Sequence, residues 1–119
     1  MNIEEIREYC LRLPGVEEAF PFDEHTLVFK VMGKMFCICA LERLPHQINV
    51  KCDPEKATEL REEYTGVEPG YHMSKKHWNT LIFDMSFSED QTREWIKDSY
   101  NLVVSSLTLK LKQELKNIP

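Results

Sequence analysis

Apolar residues recur with helical spacing near both ends of the chain and with strand spacing between them. Near the N-terminus, steps of three and four residues describe one face of a helix, formed by Ile3, Ile6, Cys10 and Leu13. Asn2 is a suitable N-cap for this helix, and Pro14-Gly15 ends it. The pattern therefore predicts an N-terminal helix that packs through its apolar face.

Two further helices and an amphipathic tail follow from local signals. Asp53-Pro54 places a carboxylate cap before a proline at the first helical position, and Thr65-Gly66 closes this second helix. Ser88, followed three residues later by Gln91, forms a capping box for a third helix that runs to about residue 107. Leucines spaced among lysines at residues 109–118 indicate an amphipathic tail.

The segments between these helices favour strands. Five stretches qualify by their apolar, β-rich composition: Val16–Phe22, Leu27–Met32, Met35–Leu41, Gln47–Cys52 and Trp78–Met85. Gly33-Lys34 is the two-residue turn of a β-hairpin, with Lys34 at its tip. In the fourth stretch, alternation predicts a core-facing row of Ile48, Val50 and Cys52 and an outward-facing row of Gln47, Asn49 and Lys51.

The resulting element order is α-β-β-β-β-α-β-α. Strands that follow one another through short turns form antiparallel sheets, so we expect an α+β fold with about five antiparallel strands and helices packed on the sheet. Alternating βαβ units and the glycine-rich phosphate-binding motifs are missing, which argues against the nucleotide-binding α/β folds. At 119 residues the chain has the size of one domain, and we expect residues 1–119 to form one.

Composition and cysteine spacing are those of a cytoplasmic protein. Hydrophobic residues make up 42% of the chain, yet no apolar run approaches the roughly 20 residues of a membrane span. The acidic, polar start at Met1–Glu5 differs from a secretory signal. The four cysteines contain no C-x-x-C pair, and Cys37 and Cys39 are expected to project to one sheet face as small, reduced core residues. We therefore expect a cytoplasmic location and no membrane partner.

The negative charge is concentrated in the first quarter of the chain. The formal net charge is −5, which disfavours a non-specific polyanion binder because such binding depends on neutralising phosphates. Residues 1–29, however, contain seven acidic residues against two arginines, whereas residues 30–79 contain eight basic residues against seven acidic ones. A local basic patch outside the N-terminal segment is compatible with this distribution.

The densest chemistry lies in the thirteen residues Glu68–Thr80, which hold two of the four histidines and one of the two tryptophans. Pro69-Gly70 is a turn signal, so this segment is typical of a polar loop that leads into a strand. Its candidate binding residues are Tyr71, His72, Lys75, Lys76, His77, Trp78 and Asn79, and Lys34 of the hairpin joins them. Lysines and histidines can contact phosphates, aromatic rings can stack on bases, and Asn79 has the paired donor and acceptor suited to a base edge.

Other interpretations of the same residues stay open. Tyr71 and Trp78 can be core residues, while Asn79 can serve a turn. A metal site would need ligands from outside the loop, drawn from His25, His46 or Asp84. Ser74 lies between two histidines, but no nucleophile motif surrounds it. We therefore expect no catalytic residue, no metal and no cofactor, and a binding protein rather than an enzyme.

The loop resembles the signature of the MmcQ/YjbR family of small bacterial proteins. Members of that family commonly contain Pro-x-Tyr-His-Met-x-Lys-x-His-Trp-Asn-Thr, which Pro69–Thr80 matches. The resemblance extends over nearly the whole chain. It includes the first helix ending in Leu-Pro-Gly, the acidic segment before Phe22, the hairpin at 31–36, Asp53-Pro54 and Ser99-Tyr100 in the last helix.

The resemblance implies a YjbR-like α+β fold, similar in outline to secretion chaperones and frataxin-like proteins. It also implies DNA binding through two wings, which here would be the Gly33-Lys34 hairpin and the loop from Pro69 to His77. An alternative is a protein-binding or small-ligand-binding module with a chaperone-like fold and no nucleic-acid activity. The identity of the ligand, the DNA sequence and the oligomeric state stay open.

Overall fold

The structure, a computed structural model, describes residues 1–119 as a six-stranded antiparallel sheet with four helices. The helices are α1 (Ile3–Arg12), α2 (Pro54–Glu63), α3 (Glu89–Ser105) and α4 (Leu109–Lys116). The strands are β1 (Val16–Ala19), β2 (Thr26–Val31), β3 (Lys34–Ala40), β4 (Gln47–Lys51), β5 (Val67–Pro69) and β6 (Trp78–Ile82). The predicted antiparallel α+β class is confirmed.

The sheet order is β1-β2-β3-β4-β6-β5, and every neighbouring pair is antiparallel. The prediction of about five strands omitted β5, which the sequence analysis assigned to the loop. β5 has only three residues and ends in a proline, so it carries almost no local signal. It exists because Val67 and Pro69 pair with Leu81 and Asn79 on β6.

Local cap signals set the helix starts. Asn2 with Glu5 and Ser88 with Gln91 both form capping boxes, in which each side chain accepts a hydrogen bond from the backbone N–H of the other residue. Asp53 caps α2 ahead of Pro54. The predicted starts are therefore confirmed. The 109–118 tail forms the short helix α4, and no helix is long and apolar enough to cross a membrane.

The two faces of the sheet differ. We call the side on which the helices pack the covered face and the opposite side the open face. The covered face holds a core cluster of 19 buried residues, drawn from all six strands except β1 and from α1, α2 and α3. The open face holds a buried cluster of only three residues, Val28, Ile38 and Trp78, with Met35 and Met73 packed against it.

A β-bulge between β2 and β3 adds a buried side chain to the covered face. The register shifts between Phe29 and Lys30, so Phe36 and Cys37 are both buried. Ser99 of α3 bridges the irregularity, since its hydroxyl donates to the Phe36 carbonyl (2.6 Å) and accepts from the Lys51 N–H (2.8 Å). Both backbone groups are therefore satisfied without a regular ladder.

Cysteines belong to the covered face, as predicted for Cys37 and Cys39. All four are free thiols and buried. Hydrogen bonds with the thiols of Cys10 and Cys39, together with burial, raise the pKa of Cys37 well above its ordinary value. Burial likewise raises the pKa of Cys52. These thiols act as small core side chains.

Several boundaries and one exposure differ from the sequence analysis. The two turn residues of the hairpin are Met32 and Gly33 rather than Gly33 and Lys34, because Lys34 already pairs with Val31 as the first residue of β3. β1 ends at Ala19, β6 ends at Ile82 and α3 ends at Ser105, each earlier than predicted. Asn49 projects to the open face as alternation requires, but it is only 8% exposed. Its burial arises because residues from the segment after β5 lie across the open face, which the alternation pattern of β4 cannot indicate.

Candidate functional site

The segment between β5 and β6, residues 70–77, folds back over the open face and is called the crossing loop below. Its entrance is fixed at Gly70, whose N–H donates to the Trp78 carbonyl at 2.9 Å. A Cβ at position 70 would lie 2.7 Å from the Trp78 Cβ, so only glycine fits this approach. At its exit, the N–H groups of His77 and Trp78 donate to the Ser74 carbonyl.

Arg61 of α2 attaches the crossing loop to the rest of the fold. Its Nε donates to Asn79 Oδ1 at 2.7 Å, and its Nη2 donates to the carbonyls of Lys75 and Trp78. A single guanidinium therefore joins the helix, the strand and the loop. This function follows from the fixed fork of donors that arginine presents.

Asn79 is a structural residue, and its predicted contact with a base edge is wrong. The residue lies opposite Val50 on the covered face and is 1% exposed. Its carboxamide is occupied by Arg61 and by the Ala57 carbonyl. Because Trp78 faces the open side, alternation along β6 turns Asn79 toward α2.

Trp78 is buried in the open-face cluster beneath the crossing loop, against Val28, Ile38 and Met73. It supports the loop and presents no free ring face for stacking, which corrects its assignment as a ligand contact. Trp78 is a buried residue of the sheet, which was the alternative interpretation. The exposed candidates of the loop are Tyr71, His72, Lys75, Lys76 and His77.

Tyr71 and His72 lie above the middle of the open face. The Arg43 guanidinium sits 4.4 Å from the centre of the Tyr71 ring, in cation–π contact. The Tyr71 and His72 rings are 4.0 Å apart. His72 has φ 57°, a left-handed conformation that L-residues rarely adopt. Backbone strain of this kind concentrates at binding and switch sites.

A groove of about 380 Å³ lies between the sheet and these residues. Ile38 and Met73 line its apolar part, Phe22 and Tyr71 are aromatic, and Arg43 and Asn49 are polar. Its size falls within the range of small-molecule sites, roughly 300–1,000 Å³. The open face therefore carries a recess as well as a loop.

A hydrogen-bond relay orients the amide of Asn49 in this groove. The Tyr71 N–H donates to Thr80 Oγ1 at 2.9 Å, and the Thr80 hydroxyl donates to Asn49 Oδ1. Since Oδ1 accepts this bond, the remaining group of the carboxamide is the Nδ2 donor, which contacts no acceptor of the protein. The groove thus presents an N–H2 group from a largely buried residue.

The charged candidates gather at one end of the sheet. Val31 pairs with Lys34 at the hairpin tip, and Lys51 pairs with Trp78, where the crossing loop joins β6. The antiparallel order therefore places the hairpin and the crossing loop at the same end, together with exposed Lys34, Lys75, Lys76 and His77. No carboxylate oxygen lies within 4.0 Å of these lysine ammonium groups.

The residues considered for a metal site and for a nucleophile are not arranged for either chemistry. No three His, Cys, Asp or Glu side chains converge on a point that could hold a metal ion. The Ser74 hydroxyl forms no hydrogen bond to either neighbouring histidine. Asp84 accepts hydrogen bonds from Ser86 and Thr65, which lower the pKa of its carboxyl.

Sequence reasoning missed Arg43, Arg61 and Asn49 as residues of this site. Arg43 and Arg61 are far from the crossing loop in sequence, and each reaches it only through the tertiary fold. Asn49 had a usable signal, because it is an asparagine in the outward row of a strand whose outward neighbours are also polar.

Comparisons with known proteins bear on the family of the chain. A family model described as YjbR matches residues 11–102. The chain is 37% identical over 113 residues to YbdF of Escherichia coli O157:H7, covering 95% of this chain and 93% of the relative. It is 30% identical over 107 residues to YjbR of Escherichia coli strain K12, covering 90% and 91%.

Solved structures give the same result. The crystal structure of Deinococcus radiodurans protein DR2400, with a DUF419 domain, superposes with a TM-score of 0.91 at 35% identity, covering 99% of this chain and 89% of that one. A Pseudomonas syringae protein shares the fold at 23% identity, with a TM-score of 0.74 and coverage of 86% and 98%. The names of these relatives state no activity. Their fold, and the match of the family model to most of the chain, establish that the protein belongs to the YjbR family.

Proposed function

We propose that the protein binds DNA with the end of the sheet formed by the β2–β3 hairpin and the crossing loop. The observation that carries the proposal is the placement of both elements at one end, with lysines that have no acidic partner. Two basic projections from one edge of a sheet can follow a phosphate backbone. Lys34 would contact phosphates from the hairpin, and Lys75 and Lys76 from the loop.

The charge distribution supports local rather than general attraction. The chain is acidic, and its acidic excess lies in residues 1–29. Glu18, one of these acids, is already paired with Arg7 on the covered side. Another of these acids, Glu17, lies directly opposite Lys30 in the register of β1 and β2. We therefore assign no phosphate contact to Lys30.

Two polar candidates complete the surface. His72 and His77 are exposed on the crossing loop and can donate hydrogen bonds to phosphate oxygens. Asn79 and Trp78 take no part, because they are buried. The contact set of the proposal is thus Lys34, His72, Lys75, Lys76 and His77.

The test is a fluorescence-anisotropy titration of a short labelled DNA duplex with the protein, at low and at near-physiological salt. We expect binding at low salt that weakens with added salt. The double variant Lys75→Ala/Lys76→Ala should reduce the log–log salt slope by about two units, because each phosphate contact contributes about one.

A charge-matched control separates local contacts from net charge. Arg93→Ala/Lys97→Ala removes two positive charges from α3 on the covered side, and it should leave the salt slope unchanged. Equal losses in the two double variants, or no binding by the parent protein at low salt, would contradict the proposal. Circular dichroism of each variant checks that the fold is retained.

A further inference from the structure

The groove on the open face has a charge character opposite to that of the chain. Ten residues line it, and none is Asp or Glu, although the chain contains 20 acidic residues. Its charged side chain is that of Arg43, and His72 lies beside it. A recess without carboxylates in an acidic protein selects against cations and in favour of anionic ligands.

The polar groups that face the groove are unoccupied donors. The relay from Tyr71 through Thr80 leaves Asn49 Nδ2 without a partner, although Asn49 is more than nine-tenths buried. The residue is largely buried, yet its Nδ2 is not among the buried unpartnered atoms of the protein, so this donor is accessible to a ligand. The neighbouring Gln47 side chain also forms no hydrogen bond within the chain, since its only pairing is through the backbone of β4.

Arg43 is free to receive an anion. Its guanidinium makes no ion pair and donates no hydrogen bond to the protein, and its Cζ lies over the Tyr71 ring, 4.4 Å from the ring centre. The neighbouring acid Glu42 is paired with His25 instead. Stacking on a ring leaves the edge N–H groups of an arginine available, and these match a carboxylate in a bidentate arrangement.

The remaining walls favour a flat ring. Phe22 is 64% exposed and Tyr71 is 47% exposed, and both line the groove beside Ile38 and Met73. Aromatic walls over an apolar floor bind planar rings well. We propose that the groove binds a small aromatic carboxylate, with its ring between Phe22 and Tyr71 and its carboxylate bound by Arg43 and Asn49 Nδ2. This site shares His72 with the proposed DNA contact set but includes none of its lysines.

The test is an NMR titration of the 15N-labelled protein with cinnamate. Two probes are matched to it: cinnamamide, which has the same shape without charge, and cyclohexylpropionate, which has the charge without a flat ring. We expect cinnamate to shift the side-chain NH2 resonances of Asn49 and Gln47 in a saturable manner. Each matched probe should bind roughly tenfold more weakly, because it loses the charged hydrogen bonds or the aromatic contact.

Two variants locate the anion. Asn49→Asp keeps the oxygen that accepts from Thr80, but it replaces the Nδ2 donor with a second, negatively charged oxygen. Arg43→Gln removes the exposed cation. Each should weaken cinnamate binding about tenfold or more. Arg93→Gln on α3 removes the same charge as Arg43→Gln and should leave the affinity unchanged.

The proposal is overturned if cinnamate leaves the Asn49 side-chain resonances unmoved, if cinnamamide binds as tightly, or if Arg43→Gln and Arg93→Gln behave alike. Arg43 is exposed, so this comparison holds even if Asn49→Asp impairs folding. DNA titrations of Arg43→Gln separate the two proposals, because loss of cinnamate binding with unchanged DNA binding supports two distinct sites.

Discussion

The two faces of one sheet are used differently. On the covered face, side chains from three helices and five strands form one core, and polar groups such as Ser99 and Asn79 find partners inside the protein. On the open face, only Val28, Ile38 and Trp78 form a buried cluster, and polar groups such as Asn49 keep open donors. The contrast teaches that most of the buried apolar core lies on one face of the sheet, whereas polar groups on the other face keep free hydrogen-bonding capacity.

The largest expected effect tests this contrast with one substitution on each face. Ile48 is buried in the covered-face core, and Ile38 is buried in the open-face cluster. Ile48→Ala should lower the free energy of unfolding by about 4 kcal/mol and Ile38→Ala by about 2 kcal/mol, because a cavity beside a groove and flexible methionines can collapse. Urea unfolding measures both, and equal losses would remove the distinction between the faces.

An intermediate effect is expected at the connection between the faces. Arg61→Ala should lower the free energy of unfolding by about 2 kcal/mol, because it leaves Asn79 Oδ1 and the Lys75 carbonyl without their donor and removes one of the two hydrogen bonds to the Trp78 carbonyl. Arg61→Lys should recover only part of this loss, since an ammonium cannot reproduce the fork. Hydrogen exchange should rise selectively in residues 70–77, and uniform exchange across the chain would contradict the connecting role.

The smallest expected effect concerns the strained residue of the crossing loop. His72→Gly should be more stable than His72→Ala by about 0.5–1 kcal/mol, because only glycine adopts φ 57° without steric conflict. The two variants lack the same imidazole, so thermal unfolding isolates the backbone contribution. If alanine is as stable as glycine, the left-handed conformation stores no strain.

Much of the fold could be predicted because its signals are local. The capping residues Asn2, Asp53 and Ser88 set three helix starts within the residues that they contact. The alternation of apolar and polar residues along β4 predicted which side chains face each side of the sheet, including the outward direction of Asn49. β5 could not be predicted, because three residues ending in proline form a strand only when β6 lies beside them.

The sequence indicated the crossing loop as the candidate site, but it did not give the contacts that the loop makes. The crossing loop is central, and Tyr71 and His72 line the groove as parts of it. The error at Asn79 has a simple cause. A strand residue next to a loop belongs to whichever face its position dictates, and here that face is the one packed against α2. Arg43 and Arg61 required the tertiary structure.

The relay through Thr80 has a consequence for how the groove persists as the sequence changes. A hydroxyl has one proton, and a group that donates to its oxygen leaves that proton directed elsewhere, here toward Asn49 Oδ1. At Thr80 this group is the backbone N–H of residue 71, which every amino acid except proline supplies. Substitutions at position 71 can reshape the wall of the groove, while the direction of the Asn49 amide is inherited from the main chain.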